Sequence, residues 1–177
     1  MEKIMEKIFF ADKSAFTTEA ALKKIFSVYF GKDCVEILRT KHGKPYVENA
    51  PFFSVTHTQN RLYIAFSNEE IGIDAETLTR TPYYESIIKK FPLMEQEEIS
   101  NTDDFLHHWV AKESAVKYLG GTIAQDLHKL CFAKGALTYE NKVFPAKITF
   151  LQHENFILAV CGNGNFKNTP FIPLETL

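Results

Sequence analysis

Three carboxylates and one ammonium in this chain have the types and spacing to do chemistry. The stretch Ile71-Gly72-Ile73-Asp74-Ala75-Glu76 alternates apolar and small or acidic residues. Read as a strand, it puts Ile71, Ile73 and Ala75 on one face and both acids on the other, their stems roughly 7 Å apart. Further on, Glu113 and Lys117 lie four residues apart in "WVAKESAVKYLG" and so share one side of a helix. Glu113 also falls within the stripe Leu106, Trp109, Val110, Val116 and Leu119, where a carboxylate must be paired, capped by a metal or placed at the border of burial. Three carboxylates converging on one point repel one another unless a divalent ion sits between them. Oxygen-only ligands suit Mg²⁺, which keeps waters and phosphate oxygens in its octahedron, so such a site calls for a phosphate substrate. The plainer alternatives stay open: Asp74 and Glu76 as the wet face of an edge strand, and Glu113 with Lys117 as a surface ion pair of about 0.3 to 0.5 kcal/mol.

Other polar residues read less sharply. His57 stands at a strand end beside the hydroxyls of Ser54, Thr56 and Thr58, and Lys44 lies in a loop, "GKPY". Adjacent helical residues diverge by about 100°, so His107 and His108 cannot easily share a metal and read as structural. "CGNGNF" follows a late strand without a G-x-G-x-x-G frame and reads as a turn.

The elements that must position these groups form an α+β pattern of strands, then helices, then strands. "EKIFFA" is expected as a first strand. "TTEAALKKIFSVYFG" is expected as a helix capped by Thr17 or Thr18 and stopped at Gly31. "CVEILRT", "FFSVTHT", "RLYIAFS" and "IGIDAE" follow as strands, the last after a hairpin turn at "NEE". "TPYYESIIKKF" and "LMEQEEIS" read as short helices. "TDDFLHHWVAKESAVKYLGG" reads as the longest, capped by Asn101 or Thr102 and ended at Gly120-Gly121. Strand-like runs "KLCFAKGALTYE", "VFPAKITFLQ" and "NFILAVCGN" close the chain. The expected organisation is an N-terminal half, residues 1–76, and a C-terminal half, residues 77–177, in one compact unit.

At 177 residues the chain is long enough to bury a core, and its 16 Phe point to a core of large side chains. A net charge of −2 without a Lys/Arg block leaves no footprint for nucleic acid. Three separated cysteines suggest neither a disulfide framework nor a zinc site, and a reducing cytoplasm is expected. The N-terminus lacks an apolar signal region, and no apolar run approaches the roughly 20 residues needed to span a bilayer, so no membrane role is expected.

Four blocks stand in a characteristic order: "GKPY" at 43–46, "FSVTHT" at 53–58, "IGIDAE" at 71–76 and "FLHHWVAKESAVKYLG" at 105–120. Together they resemble the 4′-phosphopantetheinyl transferase superfamily, in its two-halved, surfactin-synthetase-activating type. That type pairs a G-I-D-x-E strand with a later W-x-x-K-E-(S/A)-x-x-K helix. The 42 residues before "GKPY" make the N-terminal half shorter than usual for that type, and Lys23 or Lys24 would replace basic residues that grip the 3′-phosphate of coenzyme A. The resemblance implies two pseudo-symmetric halves, each a helix on a small, mostly antiparallel sheet, acting as a monomer because the halves mimic a dimer. It implies Mg²⁺-dependent transfer of the 4′-phosphopantetheine arm of coenzyme A to a serine of an acyl or peptidyl carrier protein, with release of 3′,5′-ADP. Asp74, Glu76 and Glu113 would ligate the metal, Glu113 would take the serine proton, and Lys117 would sit on the phosphate. Thr56 and His57 would hold coenzyme A phosphates, Gly43, Lys44 and Pro45 would wall the nucleotide side, and Lys112 would support. The competing expectation is a non-catalytic member that binds coenzyme A or a carrier protein.

Overall fold

The computed structural model describes residues 6–79 and 84–177. In chain order the elements are β1 (Lys7–Asp12), α1 (Thr18–Phe30), β2 (Leu38–Arg39), β3 (Pro45–Tyr46), β4 (Phe52–Thr58), β5 (Arg61–Ser67) and β6 (Gly72–Thr77). Then come α2 (Glu85–Ile88), α3 (Leu93–Gln96), α4 (Thr102–Leu119), α5 (Ile123–Asp126), β7 (Leu130–Ala133), β8 (Ala136–Tyr139) and β9 (Lys142–Val143). The last are β10 (Lys147–His153), β11 (Phe156–Gly162) and β12 (Phe171–Pro173). The architecture is α+β, with helices laid on small sheets.

One sheet runs β12-β1-β5-β4 and another β10-β11-β6, all pairs antiparallel except β1 with β12. Period-two alternation lets each strand serve two layers. In β5, Leu62, Ile64 and Phe66 join Leu22, Ile25 and Phe26 of α1 on the outer side, whereas Tyr63 and Ala65 face inward. The inward side meets Ile71, Ile73, Ala75, Leu158 and Val160 of the second sheet, so the two sheets pack face to face beneath an outer helix each. The phenylalanines do fill the core: Phe66 lies edge-on to Phe9 and to Phe26, with ring centroids 5.7 and 5.6 Å apart. Each such fully buried side chain contributes about 1.5 to 3 kcal/mol.

Helix ends follow the local chemistry. Thr17 caps α1 by accepting from the Ala20 amide, and Asn101 caps α4 by accepting from the Asp104 amide at 2.9 Å. Gly31 and Gly120 end the two helices in left-handed backbone, at φ 60° and 64°, which glycine adopts without strain.

Several expectations are corrected. "NEE" is not a hairpin turn: β6 leaves the β4–β5 hairpin and pairs with β11, Asp74 opposite Ala159. "CVEILRT" forms only the two-residue β2, paired with β3. "KLCFAKGALTYE" is a hairpin of β7 and β8, turning at Lys134 and Gly135, both with positive φ. The helix expected over "TPYYESIIKKF" is the four-residue α2, and residues 81–83 of that stretch lie outside the described residues. On α4, Leu119, expected in the core-facing stripe, is 41% exposed, while Lys112 is fully buried.

Candidate functional site

The site forms where α4 lies on β6. Gly72 brings them together: a Cβ there would stand 2.5 Å from the Tyr118 amide nitrogen and closer still to the Ser114 carbonyl oxygen. Only a residue without a side chain allows the helix backbone to approach this strand so closely. Two and four residues on, Asp74 and Glu76 point to the same side, toward α4. Asp74 is 4% exposed, and its Oδ1 accepts hydrogen bonds from Lys117 Nζ at 2.8 Å and from Thr56 Oγ1 at 2.8 Å. Glu76 Oε2 accepts from Thr58 Oγ1 at 3.3 Å.

Glu113, one turn before Lys117, completes the group. Its carboxyl is pushed up to about 8, first by burial and then by the negative charge of Asp74, with Glu76 adding to the same effect and Lys117 opposing it. Loss of water and two like charges both disfavour its ionised form. The structure thus brings Asp74, Glu76, Glu113 and Lys117 into one electrostatic unit across the strand–helix interface.

His57 points away from this seam. Its Nε2 lies 2.8 Å from Thr18 Oγ1 at the start of α1, and burial followed by the charges of Lys13 and Lys117 lowers its affinity for a proton. Lys44 Nζ donates to the Ile71 carbonyl at 2.9 Å and pairs with Glu70. Gly43, in left-handed backbone at φ 87°, turns the β2–β3 hairpin, and Lys44 and Pro45 border a cavity of about 390 Å³ with Tyr46, Phe52 and Glu70.

The structure does not bring Lys112 to the acids. Its ammonium is directed to the other side of α4, 2.7 Å from Glu95 Oε2 and 3.8 Å from the centre of the Phe91 ring, and both members of the pair are 0% exposed. His108 Nδ1 meets the other oxygen of Glu95 at 3.2 Å. Thr56 Oγ1 donates to Asp74. Lys23 pairs with Glu19 on the exposed face of α1, and Lys24 lies over Phe16. Sequence reasoning missed Thr58 and Ser54 as part of this construction. The signal was present in the alternation Ser54-Val55-Thr56-His57-Thr58, which places three hydroxyls on one face.

Among the described residues no three His, Cys, Asp or Glu side chains are grouped closely enough to hold a metal ion as they stand. The donors nevertheless suit a hard divalent cation. They are all carboxylates, and the negative charge of Asp74 and Glu76 beside Glu113 helps to push its carboxyl up to about 8.

Comparison with known proteins bears on this region directly. A family model described as the 4′-phosphopantetheinyl transferase superfamily matches residues 70–161, from the start of "IGIDAE" to near the end of β11. The 4′-phosphopantetheinyl transferase Sfp of Bacillus subtilis is 30% identical over 105 residues, 54% of this chain and 46% of that protein. The 4′-phosphopantetheinyl transferase HetI of a Nostoc species is 31% identical over 119 residues, 59% of this chain and 50% of that protein. The chain spans about half the length of the curated relatives it matches.

Proposed function

Because the chain belongs to the 4′-phosphopantetheinyl transferase superfamily, we propose that it transfers the 4′-phosphopantetheine arm of coenzyme A to a serine of an acyl or peptidyl carrier protein, as a holo-[acyl-carrier-protein] synthase. The observation that carries this reading is the meeting of Asp74, Glu113 and Lys117 across the β6–α4 interface. Attack of the serine hydroxyl on the β-phosphorus of coenzyme A forms one P–O bond and breaks that to 3′,5′-ADP, while the serine proton passes to a base. Glu113, one turn from Lys117 on α4, would take that proton directly or through a water. Lys117 supplies a positive charge for the oxygens of the transferred phosphoryl group, and the 2.8 Å bond to Asp74 holds its ammonium in place.

Asp74, Glu76 and Glu113 would hold Mg²⁺, which when bound supplies charge neutralisation to the diphosphate and to the departing 3′,5′-ADP. His57, whose affinity for a proton is lowered by burial and by the charges of Lys13 and Lys117, would contact coenzyme A phosphates. Gly43, Lys44 and Pro45 would wall the nucleotide side, where Lys44 and Pro45 line a cavity of about 390 Å³. The two halves, 1–76 and 77–177, act as one unit, and the protein works as a cytoplasmic monomer. No helix of the described residues is long and apolar enough to cross a membrane.

The test is incubation of the protein with coenzyme A, Mg²⁺ and a panel of purified apo carrier proteins, read by intact mass. The expected result is a gain equal to the phosphopantetheine arm on at least one carrier. No gain on carriers that a known transferase modifies refutes transfer, and calorimetric binding of coenzyme A in that case assigns the protein to the non-catalytic binding members.

A further inference from the structure

The alternation in β4 puts Ser54, Thr56 and Thr58 on one side of the strand, and all three are buried, Thr56 to 3% exposure. Buried hydroxyls need partners. β4 and β6 are edge strands of two different sheets, and no backbone ladder joins them. The hydroxyls stand in its place: Ser54 Oγ accepts from the Ile73 amide at 3.1 Å, Thr56 Oγ1 donates to Asp74 Oδ1, and Thr58 Oγ1 donates to Glu76 Oε2. Each register step along β4 therefore fixes one group of β6, and two of the three groups are carboxylates of the candidate site.

We propose that Thr56 and Thr58 are positioning residues whose hydroxyls orient the Asp74 and Glu76 carboxylates for a divalent cation. This rests on the reading of those acids as cation ligands. A hydroxyl proton given to one oxygen of a carboxylate fixes the torsion of the group and so the direction of its other oxygen. In Asp74 both hydrogen bonds fall on Oδ1. Partners of this kind typically change metal affinity by about 10- to 100-fold when removed. The N-terminal sheet thereby sets the affinity of a site whose acids belong to the other sheet.

The experiment measures Mn²⁺ binding to the full chain by electron paramagnetic resonance, with 3′,5′-ADP binding in EDTA measured by calorimetry on the same samples. Thr56→Val is expected to weaken Mn²⁺ binding about 10-fold or more, and Thr56→Ser to restore it to within about 2-fold of wild type. 3′,5′-ADP affinity in EDTA is expected to be unchanged in both. Wild-type Mn²⁺ affinity in Thr56→Val overturns the positioning role, and a loss confined to 3′,5′-ADP affinity returns Thr56 to the nucleotide. Thr58→Val, at the longer 3.3 Å bond, carries the same test with a smaller expected loss if Thr56→Val does not fold. Absence of Mn²⁺ binding in the wild type overturns the ligand reading of the acids and this proposal with it, a result distinct from either variant outcome.

Discussion

Gly72→Ala is the sharpest perturbation of this structure. The added Cβ would lie 2.5 Å from the Tyr118 nitrogen, against 3.4 Å for ordinary contact, and closer still to the Ser114 carbonyl oxygen. Both are backbone atoms in the middle of a helix and cannot swing aside, so α4 must withdraw from β6 by about 1 Å or more. Overpacking of this kind typically costs about 1 to 3 kcal/mol, and backbone on the opposing side puts this substitution at the upper end. For a chain of this length, about 3 kcal/mol corresponds to a fall in Tm of about 6 to 12 °C. The same withdrawal stretches the 2.8 Å bond from Lys117 to Asp74 beyond hydrogen-bond range. A displacement of about 1 Å of a reacting group can cost about 100-fold in rate, so phosphopantetheine transfer is expected to fall by that order. Circular dichroism melting and the carrier mass assay read the two effects separately. Gly135→Asn, at an open turn with φ 70°, serves as the control and is expected to cost well under about 1 kcal/mol. A Gly72→Ala protein that melts within about 1 °C of wild type and transfers at the wild-type rate refutes the close-approach argument.

Lys112→Met leaves Glu95 buried without its cation and is expected to cost about 3 to 5 kcal/mol by urea denaturation, whereas Glu95→Leu combined with Lys112→Met recovers most of that loss. The cation-free protein should lose stability as pH rises from about 4.5 to about 8: folding lifts the Glu113 carboxyl above its ordinary 4.5, so the folded state binds the extra proton in that window. Glu113→Gln should flatten this decline, and urea midpoints across the window that match wild type would count against the assigned environment. Ser54→Ala removes the acceptor of the Ile73 amide and is expected to destabilise by about 1 to 3 kcal/mol, read from the same denaturation curves.

The sequence disclosed whatever depends on short-range periodicity. The alternation of "IGIDAE" placed Asp74 and Glu76 on the face that meets α4, and the four-residue spacing placed Glu113 and Lys117 together. Asn101 and the Gly120 stop bounded the helix within a residue. What stayed hidden depends on partners far along the chain. Nothing local in β6 says that it pairs with β11 rather than β5, because the alternating pattern is the same for either neighbour. Nothing local marks Lys112 for burial, because its partner Glu95 lies 17 residues upstream on α3. Thr56 and Thr58 read as strand formers, and their acceptors become visible only when the edges of two sheets are placed side by side.

The pairing of β6 with β11 and of β1 with β12 also governs when the protein becomes itself during synthesis. Asp74 sits opposite Ala159, and Ile8 opposite Phe171, so the first pairing spans nearly half of the chain and the second almost all of it. A growing chain that has just completed α4 already holds Asp74, Glu76, Glu113 and Lys117, yet the strand carrying the first two acids has no ladder to join. Contacts of such long sequence separation slow folding, and unpaired edges are open to other chains in the meantime. The site is thus expected to close late, once residues 156–162 have emerged, and the edge of β1 later still, when 171–173 arrive.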